Sequence, residues 1–126
     1  PYTTATLQQD ASRKLRLSAK QAMDAAQALF EAGLITYHRT DSVRVGDEAA
    51  AAARAWIAAH HPDALPDAPP RARSAGGAQD AHEAVRTTRP EADVVPPPGA
   101  PARLYALIRA RFLASQSRPA TFDRTT

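Results

Sequence analysis

Residues 34–42 read Leu-Ile-Thr-Tyr-His-Arg-Thr-Asp-Ser, in which two apolar residues lead into seven that can all form hydrogen bonds. The side chains of an extended segment alternate between two faces. The pattern therefore predicts a short strand with Ile35, Tyr37 and Arg39 on one face and the residues between them on the other. A phenol and a guanidinium then lie side by side.

Tyr37 has two interpretations at this point. A tyrosine in a short strand is commonly a half-buried packing residue whose hydroxyl is satisfied nearby. A phenol beside a fixed cation is also what a phosphoryl-transfer nucleophile requires, because the charge of Arg39 favours the phenolate and then holds the phosphate oxygens. The nine residues alone leave both interpretations open.

The length and composition narrow the classes of protein. A chain of 126 residues has the size of one domain, so we predict a single domain over residues 1–126. Sixteen Lys and Arg against thirteen Asp and Glu give a net charge of +3, which suits a polyanionic partner. The absence of cysteine excludes disulfides, thiolate nucleophiles and cysteine-based zinc sites.

The chain carries no pattern of membrane insertion or secretion. No apolar stretch reaches the roughly twenty residues of a membrane span, and the first residues do not form a signal peptide. We therefore expect a soluble, intracellular protein with no membrane partner. The chain begins without methionine and stops abruptly at Thr126, from which we expect a segment of a longer polypeptide.

Two capping boxes predict a pair of helices before the tyrosine segment. Thr6 and Gln9 begin a short first helix, and Ser18 and Gln21 begin a second that stops at Gly33. The buried side of the second helix is expected to carry Ala19, Ala22, Met23, Ala26 and Phe30. Two helices followed by a short extended segment resemble the start of a winged-helix module.

Two more helices are predicted downstream. Asp47 and Glu48 suit the first turn of a third helix that ends at His60, and Pro101 suits the first turn of a fourth. The expected buried residues are Val45, Ala49, Ala53, Trp56, Ile57 and His60 in the third helix, and Leu104, Leu107, Ile108 and Phe112 in the fourth. The fold class is then mainly α with a small β element, an α+β winged-helix or CAP-like module with about four helices and a few short strands.

Proline-rich stretches at 62–80 and 90–101 are predicted to be surface loops within the domain. A second dense cluster of functional side chains follows the first loop and contains His82, Glu83 and Arg86. These three cannot all be buried in a small core without partners. A salt-bridged surface segment and a functional site are both open interpretations of this cluster.

The two clusters and the start of the chain together resemble a known family. Residues 34–42 match every fixed position of the Ile-Thr-Tyr-x-Arg-Thr-Asp-Ser pattern of the type IA DNA topoisomerases. Residues 79–86 resemble the family's Ala-His-Glu-Ala-Ile-Arg-Pro segment, and Thr87 follows where many relatives have proline. Residues 1–9 resemble its Pro-Phe-Thr-Thr-Ser-Thr-Leu-Gln-Gln stretch, and residues 118–126 resemble the strand that leaves the domain.

The resemblance implies that the chain is the third, nucleophile-bearing domain of a bacterial topoisomerase I-like enzyme. Tyr37 then attacks single-stranded DNA, forms a 5′-phosphotyrosine and releases a 3′ hydroxyl, and reversal reseals the strand without ATP. Arg39 is implied to assist the phenol and to clamp the phosphate with two parallel hydrogen bonds. His82 is implied to contact a backbone phosphate or to join the proton network. The implied orienting residues are Glu31, Asp41, Glu83 and Arg86.

The resemblance also implies what the chain requires from elsewhere. The intact enzyme is expected to relax negatively supercoiled DNA with Mg²⁺, held on acidic residues of a separate Toprim domain. We therefore predict no metal ligand and no other cofactor in this chain, and we expect the isolated domain not to cleave DNA. The predicted partners are DNA, preferably single-stranded, and the Toprim and gate domains of the same polypeptide, in the bacterial cytoplasm at the nucleoid.

Two alternatives stay open from the sequence. In a noncatalytic winged-helix module, a basic face that includes Arg109 and Arg111 docks on duplex DNA while Tyr37 is ordinary packing. The equivalent domain of a topoisomerase III or a reverse gyrase would carry the same clusters. A Toprim-type acidic segment or a helicase module upstream of Pro1 would distinguish these possibilities.

Overall fold

The computed structural model describes residues 1–66 and 82–117, which form four α-helices and a short 3₁₀ turn. The helices are α1 (Thr4–Leu15), α2 (Ala19–Glu31), α3 (Asp47–His60) and α4 (Ala100–Ser115), and the turn is Pro62–Ala64. The predicted mainly α fold is confirmed. In the described residues, the small β element consists of two isolated antiparallel bridges, Tyr2 with Val85 and Ile35 with Thr87, in place of the few short strands.

The N-cap of α1 lies three residues before the predicted one. Thr3 is the N-cap, its hydroxyl accepts from the Thr6 N–H at 3.2 Å, and the Thr6 hydroxyl accepts from the Thr3 N–H at 2.9 Å. Threonine therefore fills the second position of the capping box, and the predicted pairing of Thr6 with Gln9 was wrong. The second box, Ser18 with Gln21, is confirmed.

The main core lies where α2 packs against α1 and α4. Leu7, Leu29, Leu104 and Ile108 are fully buried there. On α2 the buried side is Ala22, Ala25, Ala26 and Leu29, whereas Ala19 and Phe30 are exposed, contrary to the prediction. Leu29 rather than Phe30 points at α4, and Phe30 lies at the edge of the helix beside the tyrosine segment.

A smaller core joins α3 to the end of α4. Ala49 and Ala53 pack against Phe112 there. His60 is exposed at the last turn of α3 rather than buried, and its ring stacks on the half-buried Trp56 at 4.3 Å between centroids. The stripe of apolar residues thus ends one turn before the helix does.

Backbone hydrogen bonds bring the two functional clusters together. The Thr36 N–H donates to the Arg86 carbonyl at 2.9 Å, and the Thr88 N–H donates to the Leu34 carbonyl at 3.0 Å. Residues 82–88 therefore run directly beside the tyrosine segment. Two predicted segments lie outside the described residues. They are the loop from residue 67 onward, together with residues 79–81 of the second cluster, and the extended end at 118–126.

Candidate active site

The tyrosine segment does not follow the alternation of a strand. Ile35 is 2 % exposed, Tyr37 is 48 % exposed and His38 is 1 % exposed, so Ile35 and Tyr37 do not share a face as predicted. Only Ile35 is bridged, and a single bridge does not impose a two-residue repeat on the residues after it. The chain bends at His38, which turns the imidazole inward and leaves the phenol outside.

The exposed phenol of Tyr37 lies in an open cavity of about 250 Å³. The other lining residues are Thr36, Thr40, His82 and Glu83. The structure therefore brings the nucleophile candidate together with two of the residues singled out in the second cluster, although 45 positions separate Tyr37 from His82.

Glu83 and Arg86 form a two-point ion pair beneath this cavity. The Arg86 Nε and Nη2 atoms donate to the Glu83 carboxylate at 2.8 and 3.1 Å, and the carboxylate also accepts from the Gly46 N–H at 3.0 Å. Burial raises the pKa of Glu83, but the hydrogen bonds from Arg86 and Gly46 and the charges of Arg86 and Arg44 lower it further, so the pKa is below its ordinary value. The pair fixes the start of α3 against the second cluster.

Arg39 and Asp41 line a separate, adjoining cavity of about 520 Å³. Its other wall is the first turn of α1, with Thr3, Thr4, Ala5 and Gln8. Thr40 is the residue that lines both this cavity and the one that holds Tyr37. The structure thus places Arg39 next to the tyrosine site and not inside it.

Glu31 lines neither cavity. It is the exposed last residue of α2, and its carboxylate accepts a hydrogen bond from Gln27 at 2.7 Å. Its neighbour Phe30 contacts the site instead, since its ring meets the Tyr37 ring edge to face at 5.3 Å between centroids. The preceding helix therefore supports the tyrosine through an aromatic contact and not through a carboxylate.

Sequence reasoning missed two further residues that hold the segment. Thr4 donates its hydroxyl to the His38 carbonyl at 2.7 Å and accepts from the Thr40 N–H at 2.7 Å. Phe30 was read as core because its helical spacing fits a buried stripe. Thr4 had a signal, because it lies in the stretch that resembles the family at residues 1–9.

The sequence pattern of the DNA topoisomerase family matches residues 1–126. This chain belongs to the DNA topoisomerase family. It is 46 % identical over 142 residues to DNA topoisomerase 1 of Treponema pallidum, covering 99 % of this chain and 19 % of that protein. It is 48 % identical to DNA topoisomerase 1 of Zymomonas mobilis, covering 100 % of this chain and 10 % of that protein.

This chain also resembles a reverse gyrase and a solved structure of a topoisomerase I. Reverse gyrase 1 of Aeropyrum pernix is 44 % identical over 95 % of this chain and 10 % of its own length. The structure of full-length topoisomerase I from Thermotoga maritima superposes with a TM-score of 0.77 at 37 % identity, over 94 % of this chain and 20 % of that one. The predicted type IA topoisomerase segment is confirmed, and this chain spans less than a fifth of the length of the first two relatives.

The basic residues of α4 are engaged within this topoisomerase segment. Arg109 donates Nε and Nη2 to the Pro90 carbonyl at 3.2 and 2.7 Å and lies over the Trp56 ring. Arg111 lies 3.7 Å from the Asp10 carboxylate. These contacts tie Arg109 to Pro90 and to α3, whereas the Arg111 side chain is 47 % exposed beside Asp10.

Residues 1–66 and 82–117 contain no group of three or more His, Asp or Glu side chains placed to hold a metal ion. In the same residues, none of the helices is long and apolar enough to cross a membrane.

Proposed function

We propose that this chain carries the nucleophile of a type IA DNA topoisomerase and that Tyr37 is that nucleophile. The phenolic oxygen attacks a phosphodiester of single-stranded DNA, forms a bond to the 5′ phosphate, and the 3′ oxygen leaves as a hydroxyl. Because the phosphodiester is exchanged for a phosphotyrosine ester, the reverse attack reseals the strand without ATP. The observation that carries this proposal is the half-exposed phenol of Tyr37 in an open cavity with His82 and Glu83.

The neighbouring groups divide between DNA contact and support. Arg39 is exposed in the adjoining cavity, from which its guanidinium can hold the phosphate with two hydrogen bonds. His82 lines the cavity of Tyr37, where it can contact a backbone phosphate or pass a proton. Glu83 and Arg86 support the site by fixing residues 82–88 beside the tyrosine segment, and Asp41 lies beside Arg39.

The proposal extends to a longer polypeptide. We propose that the relaxation of negatively supercoiled DNA requires the Toprim and gate domains, that Mg²⁺ is held by the Toprim domain, and that the enzyme works in the cytoplasm on DNA with a single-stranded region. A winged-helix description of this segment belongs to the same proposal. The support is that the matched relatives named DNA topoisomerase 1 are five to ten times longer than this chain, as their covered shares of 19 % and 10 % indicate.

The test is Tyr37→Phe in the full-length polypeptide. We expect no covalent protein–DNA adduct on a denaturing gel after incubation with a single-stranded oligonucleotide and Mg²⁺, whereas noncovalent binding of the oligonucleotide is retained. Tyr105→Phe is the matched control, because it removes a phenol hydroxyl from the buried face of α4. Adduct formation by the Tyr37→Phe protein would refute the assignment.

A reverse gyrase is the second candidate for the whole protein. The 44 % identity to Reverse gyrase 1 of A. pernix over 95 % of this chain supports it. A helicase module upstream of residue 1 in the same polypeptide would establish this candidate, and a Toprim segment without a helicase would exclude it.

A further inference from the structure

His38 is a buried histidine whose ring has no polar contact. Its side chain is 1 % exposed, and neither Nδ1 nor Nε2 has a hydrogen-bond partner in the described part of the chain. The imidazole lies 5.4 Å from the Tyr37 ring and 5.9 Å from the Phe30 ring, between centroids. Phe30, Tyr37 and His38 thus form one group of three mutually contacting rings, which we call the ring cluster.

The surroundings of His38 favour the neutral imidazole. Burying a cation that makes no hydrogen bond is unfavourable, because its hydration is lost without replacement. Helix α2 faces the ring with the uncharged Phe30, the Thr4 hydroxyl of α1 donates to the main-chain carbonyl of His38, and the charge that acts on the ring is that of Arg39. Burial first, and the Arg39 charge second, lower the pKa of His38 below its ordinary value.

We infer that His38 is a positioning residue for Tyr37: its neutral ring, held in the ring cluster, sets the orientation of the nucleophilic phenol, and protonation releases the ring and the phenol together. The inference rests on the proposed function of Tyr37. The contact is direct, because Tyr37 and His38 are adjacent in sequence and their rings touch. The Thr4 hydroxyl fixes the main chain here by its hydrogen bond to the His38 carbonyl.

The size of the effect follows from proton linkage. A released imidazole in water has a pKa of about 6.5. Because the released ring binds a proton and the buried ring does not, the ratio of released to buried ring rises by about 30-fold between pH 7.5 and pH 5. The acid-dependent loss of cleavage that His38 can cause is therefore bounded at about 30-fold.

The test compares pH profiles of single-turnover cleavage of a single-stranded oligonucleotide by the full-length polypeptide. His38→Met fills the same space with a side chain that does not titrate. We expect the ratio of the wild-type rate to the His38→Met rate to fall by about 3- to 30-fold between pH 7.5 and pH 5. His60→Met is the matched control, because His60 is exposed on α3 and stacks on Trp56, and its profile should follow the wild type.

A second variant keeps His38 and loosens the ring cluster from the other side. Phe30→Leu removes the ring that contacts both His38 and Tyr37, so more of the released form is present at neutral pH. We expect the acid decline of Phe30→Leu to begin at a higher pH than that of the wild type. This measurement decides the question even where His38→Met does not fold.

The outcomes separate the two proposals. If Tyr37→Phe still cleaves, the proposed function fails. If Tyr37→Phe abolishes cleavage while the wild type and His38→Met share one pH profile, or while Phe30→Leu leaves the acid decline in place, the inference about His38 alone is overturned.

Discussion

Glu83→Gln tests whether the ion pair beneath the tyrosine cavity holds the second cluster in place. The substitution keeps the shape of the side chain and lets the amide oxygen accept from the Gly46 N–H, which the carboxylate contacts at 3.0 Å. It weakens the hydrogen bond that Arg86 Nε donates to Oε1 at 2.8 Å and removes the one that Nη2 donates to Oε2 at 3.1 Å, because the amide nitrogen that replaces Oε2 is a donor. The change therefore removes the charge and one hydrogen bond of the pair while it keeps the size of the side chain.

The expected loss of stability is about 2 kcal/mol at pH 7. Hydrogen bonds that involve charged groups contribute about 1.5–3 kcal/mol each. One is lost and the other is weakened. The Glu83 side chain is 26 % exposed and solvent screens part of its charge, whereas Arg86 at 11 % exposure is left with a poorly compensated cation. These opposing effects place the net loss near the value of one such bond.

The stabilisation of the fold by Glu83 should depend on pH. The folded-state pKa of Glu83 is lowered below its ordinary 4.5, so the carboxylate stabilises the fold above pH 4.5. That stabilisation is lost as the pH falls from 4.5 through the folded-state pKa. The difference between wild type and Glu83→Gln should therefore be full at pH 7 and should shrink below pH 4.5.

Urea unfolding of the 126-residue chain, followed by circular dichroism from pH 7 to pH 3, measures both quantities. Glu91→Gln is the matched control, since Glu91 is exposed in the turn after Pro90 and should change stability by less than about 0.5 kcal/mol. A loss below about 0.5 kcal/mol for Glu83→Gln at pH 7, or an equal loss at pH 7 and pH 3, would show that the pair does not support the cluster.

The remaining predictions concern the core and the segment that pairs with the tyrosine. Ile108→Ala should destabilise the fold by about 3 kcal/mol in the same urea assay, because Ile108 is fully buried in the core that α4 forms with α2; a loss below about 1 kcal/mol would contradict that packing. Thr87→Val should stabilise the fold by about 1 kcal/mol, because the buried Thr87 hydroxyl has no partner in the described residues. Thr88→Val should destabilise the fold in the same assay, because the Thr88 hydroxyl donates to the Gly33 carbonyl at 2.7 Å.

Local signals were sufficient to predict most helix boundaries. Ser18 with Gln21, Gly33 with its φ of 77°, and Pro101 each mark an end through their own backbone chemistry, and the structure follows them. The start of α1 was misplaced because the hydroxyls of Thr3 and Thr6 can each cap a helix at this point. The contact that decides between them, from the Thr4 N–H to the Thr40 carbonyl at 2.9 Å, lies 36 residues away in the chain.

Of the residues that the sequence singles out, the structure brings Tyr37, His82 and Glu83 to one cavity. The spacing of residues gave no reason to bring Tyr37 beside Glu83, and only the resemblance to the family did so. The inward turn of His38 and the outward position of Phe30 depend on the rotation of α2, which is fixed by the packing of Leu29 into the core. Neither the period of a strand nor that of a helix contains this information.

The departure of this chain from its family at Thr87 shows what sets the register of the site. In the antiparallel bridge of Ile35 with Thr87, the hydrogen bonds use the N–H groups of Thr36 and Thr88, so neither bond uses the N–H of Thr87. Proline lacks only that N–H group and therefore costs no hydrogen bond of this pairing. The residues on either side of position 87 hold the second cluster against the tyrosine segment, and for this reason threonine can replace proline there without moving Glu83 away from Tyr37.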